Sequence, residues 1–168
     1  KKSIGNLFAT QKIDKNNTIQ DLRTNTKVDL IAFSLYVESE VKVIKENGVL
    51  VYSDCYRNAN RGTESIVAEI RKVGPKSYSV KRNGENFKIE GKTISYCIVD
   101  LYFEEPVNQE EVFSDMYAEF LNIEEISPHK YKLSSPKSKD TYYTYKDGEL
   151  IKVEVETPIG MAVSKRTR

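Results

Sequence analysis

A chain of 168 residues with 26 Lys and Arg against 25 Asp and Glu carries a net charge of +1, which argues against a dedicated polyanion binder, whose affinity comes from clustered cations. Its hydrophobic content of 39% and charged content of 30% suit a soluble globular protein large enough to bury its own core. No apolar run approaches the ~20 residues that a membrane-spanning helix needs, so residues 1–168 read as a single β-rich domain.

The chain opens on Lys1-Lys2-Ser3 rather than Met and enters strand-like sequence at once. This leads us to expect that an upstream part, such as a signal peptide, has been removed. Ile4 to Ile13 and Thr18 to Val28 read as two long strands around the polar turn Asp14-Lys15-Asn16-Asn17. From Leu35 to Val43 the apolar and polar residues alternate, with Leu35, Val37, Ser39, Val41 and Val43 on one face and Tyr36, Glu38, Glu40 and Lys42 on the other. Asn47-Gly48 then turns the chain into Val49-Arg57, and an Asn-Gly pair between alternating strands is a strong short-range hairpin signal. Ile66, Ala68 and Ile70 share a face, as do Tyr78 and Val80, and Asn83-Gly84 leads into Phe87 and Ile89.

Between Cys97 and Leu121 the rhythm changes. Ile98, Leu101 and Tyr102 fall at helical spacing and Glu105-Pro106 ends the run, which predicts a short helix over Cys97–Phe103 in a covering segment around 97–105. For Gln109–Leu121 two readings stay open. Asn108 with Glu111 resembles a capping box ahead of the stripe Val112, Phe113, Met116, Tyr117, Phe120 and Leu121; alternatively Tyr117 to Ile126 is a strand. Alternation resumes at Tyr131 and Leu133, which follow a turn at Pro128-His129. After the polar loop Ser134–Asp140, Asp147-Gly148 joins Tyr143 and Tyr145 to Ile151, Val153 and Val155. Ile159, Met161 and Val163 make a last strand after Pro158.

Many alternating strands with short turns imply an antiparallel meander with one buried and one wet face. We therefore expect a mainly β fold: a single strongly curved antiparallel sheet, a half-barrel or barrel-like meander, with the 97–105 segment as its cover.

Chemistry is harder to find. His129 is the only histidine and reads as an exposed loop residue, since no motif supplies a nucleophile and an orienting carboxylate. Asp100, Glu104 and Glu105 flank Tyr102-Phe103, with Asp115 further on, but a hydrolytic pair must face across a cleft at about 5–10 Å and acidic residues here serve equally as helix-end charges. Cys55 and Cys97 are compatible with an oxidising compartment; they are too few for a zinc site and read as two partly buried thiols, with their pairing left open. The glycines match no nucleotide fingerprint. No catalytic residue, metal ligand or cofactor is assigned. Eleven tyrosines and no tryptophan favour sheet packing over a carbohydrate platform. The run Thr141–Tyr145 reads as cross-strand packing rather than a stacking surface for single-stranded nucleic acid.

In order along the chain, Ile4-Gly5-Asn6-Leu7 with Ala9-Thr10, Asp100-Leu101-Tyr102-Phe103-Glu104-Glu105-Pro106, Val112-Phe113-Ser114-Asp115-Met116-Tyr117 and Tyr142 through Val155 resemble a family of uncharacterised exported bacterial proteins classed as a domain of unknown function. The resemblance covers nearly the whole chain, and its middle block is the most specific part. It implies a strongly curved antiparallel sheet similar to the half-barrels of periplasmic lipoprotein carriers, an upstream signal peptide and a periplasmic or cell-envelope location. It implies no activity. Ala118 stands where the resemblance expects a glycine after the tyrosine.

Three functions follow in order of preference. The first is a non-enzymatic envelope protein binding a lipid or other amphiphile in the concave sheet, with Tyr102, Phe103, Phe113 and Tyr117 at the mouth; the same aromatics would alternatively plug the core. The second is a structural or assembly partner of another envelope protein, acting through a sheet edge or face. The third, well behind, is a hydrolase of an envelope polymer built on the carboxylates near Asp100.

Overall fold

The computed structural model describes residues 5–29, 34–61, 63–136, 139–157 and 160–166. The expectations placed on Lys1–Ile4, Lys137, Ser138, Pro158 and Ile159 lie outside the described residues. The chain divides into two compact units, one made of Lys1–Ser95 with Asp115–Ala118, the other of Tyr96–Ser114 with Glu119–Arg168.

The first unit holds seven antiparallel strands in strict meander order: β1 (Gly5–Asp14), β2 (Asn17–Asp29), β3 (Ser34–Glu46), β4 (Val49–Ala59), β5 (Ile66–Gly74), β6 (Ser77–Arg82) and β7 (Glu85–Glu90). The turns have the chemistry the sequence calls for. Asn47 and Gly48 both sit at positive φ (51° and 76°), as do Asn83 and Gly84 (48° and 87°), the primed geometry that matches strand twist. Pairing then lines up one apolar row, Leu22, Val41, Cys55 and Ala68, and beside it Val43, Ser53, Ile70 and Val80; all eight are buried. The opposite face is wet. Arg23 reaches Glu40 at 3.1 Å, and the hydroxyls of Tyr36 and Tyr56 both donate to the Glu38 carboxylate, which holds that carboxyl below its ordinary range. Gly5 is required by space: a Cβ there would lie 2.0 Å from the Asn25 carbonyl oxygen.

The second unit carries a six-stranded antiparallel sheet in the order β13-β12-β11-β10-β9-β8. Its strands are β8 (Glu111–Ser114), β9 (Glu119–Ser127), β10 (Lys130–Leu133), β11 (Thr141–Lys146), β12 (Glu149–Thr157) and β13 (Gly160–Lys165). Leu121, Ile123, Tyr131, Leu133, Tyr143, Tyr145 and Val153 are buried. The other face is laced by ion pairs across strands, such as Lys132 to Glu124 at 2.6 Å and Lys130 to Glu154 at 3.6 Å.

The mainly β, antiparallel expectation holds, but the single strongly curved sheet does not. The described residues form two sheets, neither closed nor strongly curled. The break has a local cause. After β7, Gly91 takes φ 81° and the chain leaves the ladder. Instead of pairing with β7, it is held by the Leu50 N–H donating to the Ile94 carbonyl at 2.8 Å, by the Ile94 N–H on the Tyr78 hydroxyl at 3.0 Å, and by Lys45 Nζ on the Ser95 carbonyl at 2.9 Å. The short helix expected over Cys97–Phe103 is present as a single 3-10 turn, Ile98–Tyr102, capped by Cys97 and Phe103, and Pro106, which has no N–H to donate, follows.

Of the two readings left open for Gln109–Leu121, the strand holds: β9 covers most of Tyr117–Ile126 and pairs with β8 in a hairpin, with Val112 opposite Leu121 and Phe113 opposite Phe120. Asn108 sits at φ 61°, a left-handed conformation that does not suit an N-cap, whose backbone is extended. Ala118, where a glycine was expected, does take a left-handed φ of 55°, a conformation that costs a non-glycine residue roughly 1–2 kcal/mol.

Candidate functional site

In the second unit the 3-10 turn lies against a floor of tyrosines from β10 and β11. Strand alternation puts Tyr143 and Tyr145 on the buried face and Tyr142 on the other, where its hydroxyl donates to Glu156 at 3.2 Å. Tyr131 opposes Tyr143 across the β10–β11 pair, and its ring meets that of Tyr145 edge-on at 5.7 Å. Each contact with the turn has a specific partner. The Tyr145 hydroxyl donates to the Leu101 carbonyl at 2.7 Å, and the Tyr96 hydroxyl to the Glu104 carbonyl at 3.1 Å. Tyr102 stands edge-on to Tyr143 at 6.1 Å.

The turn closes on itself through Asp100, whose Oδ2 accepts the Cys97 N–H at 2.6 Å while its carbonyl accepts the N–H groups of Phe103 and Glu104. This carboxylate, offered by the sequence as half of a hydrolytic pair, is engaged by its own backbone. Asp115, another of the carboxylates considered, belongs to the first unit.

The four aromatics expected at a ligand mouth have different surroundings. Tyr102 and Phe103 are half-buried. Phe113 is fully buried, edge-on to Phe120 at 5.2 Å. Tyr117 belongs to the first unit, where its ring lies under the guanidinium groups of Arg57 and Arg82 at 5.8 and 6.0 Å. Arg82 Nε also donates to the Met116 carbonyl at 2.8 Å.

The sequence missed one constellation. The Glu105 side chain is only 9% exposed, and its Oε1 lies 2.9 Å from His129 Nδ1 and accepts the Tyr131 hydroxyl at 3.0 Å. Glu105 precedes Pro106 and His129 follows Pro128, both at chain turns, and no spacing rule links two residues that only folding brings together. The hydrogen bond to Glu105, then its charge, raises the His129 pKa, with Glu125 and Asp147 adding to the effect. A raised folded-state value stabilises the fold fully below the ordinary histidine pKa of about 6.5 and loses that contribution as pH rises through the raised value. An NMR titration of His129 is therefore expected to give a pKa above that of a free histidine. Glu105→Gln should bring it back toward the free value; an unchanged pKa would remove the pairing.

The buried tyrosine hydroxyls and the Cys55 thiol hold their protons more tightly than usual. Burial pushes Tyr102 and Tyr131 up to about 12 and raises Tyr96, Tyr143 and Tyr145 further still. Burial, then the charges of Asp115 and Asp54, pushes the Cys55 thiol up to about 12. Cys55 and Cys97 are both buried, and neither is in a disulfide. Among the described residues no group of three or more His, Cys, Asp or Glu side chains is placed to hold a metal ion, and no helix is long and apolar enough to cross a membrane.

Two concave surfaces occur on the first sheet. One of about 380 Å³ is lined by residues including Glu69, Lys81, Phe87 and Lys88, the other of about 210 Å³ by residues including Phe8, Arg23, Glu38 and Tyr56. Neither is lined by Tyr102, Phe103, Phe113 or Tyr117. The sheet edges are the other open feature. β1 pairs with β2 over ten residues without a bulge, and Phe8 and Ile13 on it are 64% and 65% exposed. On β13, Met161 and Val163 are exposed as well.

A family model described as a domain of unknown function (DUF6134) matches residues 1–167, and the chain belongs to that family. No curated protein and no solved structure matches it.

Proposed function

We propose that this family member is a non-catalytic structural module of the bacterial cell envelope, which assembles with other proteins through its open sheet edges. The observation that carries the reading is β1, a long edge strand without bulge or proline that displays Phe8 and Ile13 to solvent. Such an edge presents unpaired N–H and C=O groups and templates another strand. Carriage of an amphiphile draws less support. Both sheets are open, and the tyrosines that would line a groove are engaged with one another and with the 3-10 turn.

The test is photo-crosslinking in cells from single reporter positions. Reporters at Phe8 and Met161 are expected to give discrete protein adducts, and one at Lys81 on the wet face none. Lipid adducts from Tyr102 or Phe103, with no protein adduct from either edge position, would overturn assembly in favour of ligand carriage.

A further inference from the structure

We infer that the occupant of the β1 edge is the β1 strand of a second copy of this chain, paired antiparallel across a twofold axis at Thr10. This rests on the assembly reading above and names its partner.

The four sheet edges differ in a way that singles out β1. β7 reads Glu85-Asn86-Phe87-Lys88-Ile89-Glu90, with charges at half its positions, a common protection of an edge. β8 is four residues long and mostly buried, and β13 is six residues long. β1 runs for ten residues, GNLFATQKID, with Lys12 and Asp14 as its only charges, no proline and an unbroken register.

The strand is also complementary to itself. A twofold axis perpendicular to the sheet keeps the two buried-side faces together only when a residue pairs with one of its own face. Leu7, Ala9, Gln11 and Ile13 share the face of the buried Leu22 and Gln20; Phe8, Thr10 and Lys12 share the other. With the axis at Thr10, Leu7 opposes Ile13 and Ala9 opposes Gln11 on the first face. On the second, Phe8 opposes Lys12 and the two Thr10 side chains meet. Asn6 opposes Asp14, so no charge faces its like. Apolar, hydroxyl and cation–aromatic pairs at these distances each favour pairing. An axis at Ala9 would place Ile13 against Gly5 and Phe8 against Thr10. One at Gln11 would set Phe8 against Asp14. Only the Thr10 register matches side chain to side chain along the strand.

The register is read by cysteine trapping under mild oxidation, with native Cys55 and Cys97 both buried. Residues opposed across an antiparallel pair have Cα atoms about 4.5–5.5 Å apart, within disulfide range. Thr10→Cys is expected to cross-link to itself. Ala9→Cys and Gln11→Cys are expected to stay monomeric alone and to cross-link when mixed. In sedimentation, Phe8→Lys should weaken self-association about tenfold, since it sets lysines against Lys12 at two symmetric places, and Lys12→Phe in the same chain should restore it. A Thr10→Cys variant that cross-links no better than Ala9→Cys, or a wild-type chain that stays monomeric at high concentration, would overturn the inference. If Phe8 reporters then capture a different protein, the assembly reading survives and only the partner is wrong; if they capture none, both fall.

Discussion

Replacing Phe113 with alanine is expected to destabilise the second unit by about 3–5 kcal/mol, the usual cost of emptying a buried aromatic site. The ring is fully buried, packs edge-on against Phe120 at 5.2 Å, and has the buried Val112 and Leu121 as neighbours on the same two strands. Its backbone is held independently, by the N–H donated to the Tyr96 carbonyl at 2.9 Å, so the loss is one of packing rather than of ladder bonds. Phe113→Leu keeps most of the volume and should cost about 1–2 kcal/mol. Urea denaturation checks both, with the midpoint shift converted through the slope and hydrogen exchange at β8 and β9 amides assigning it to this unit. The result bears on function. A phenylalanine held in reserve for a ligand would leave little behind when truncated, and a loss under about 1 kcal/mol would return Phe113 to the ligand-mouth reading.

The second large effect is expected at Asp100. The residue is 4% exposed, and its carboxylate accepts the N–H of Cys97, itself fully buried, at 2.6 Å. Asp100→Ala leaves that N–H inside the protein without its acceptor and should cost about 2–3 kcal/mol, the range for a hydrogen bond to a charged group. Asp100→Asn retains an oxygen in the same place and should cost roughly 1 kcal/mol. The difference between the two variants isolates the acceptor. Because the Leu101 carbonyl accepts from Tyr145, loosening the turn should also speed exchange across the turn and raise the mobility of the Tyr145 ring. Equal losses for alanine and asparagine would mean that the side-chain acceptor does not hold the turn.

Several elements were legible before folding because their causes are local. Val49 to Arg57 alternates, Asn47-Gly48 precedes it, and both residues take the positive φ that this dipeptide tolerates. The same holds at Asn83-Gly84 and at Asp147-Gly148, where φ is 53° and 77°. Tyr143 and Tyr145 point inward and Tyr142 outward because a strand has period two. The segment Gln109–Leu121 resisted reading for a physical reason. Phe113 and Phe120 are seven residues apart, which is two helical turns on one face and also a cross-strand pair in a hairpin with a four-residue turn, so periodicity could not choose.

The alternation of side chains and the turn residues already specify an antiparallel β protein with wet and buried faces. They do not specify which strand each edge meets. One curved sheet or two open ones depended on where the Ile94 backbone found its hydrogen bonds, on Leu50 and Tyr78 rather than on β7. Likewise, only folding brought Glu105 within 2.9 Å of His129. Local propensity acts over a few neighbouring residues, whereas these contacts join groups distant in the chain, where buried acceptors and donors such as the Glu105 carboxylate and the Ile94 backbone must find partners that only the fold supplies.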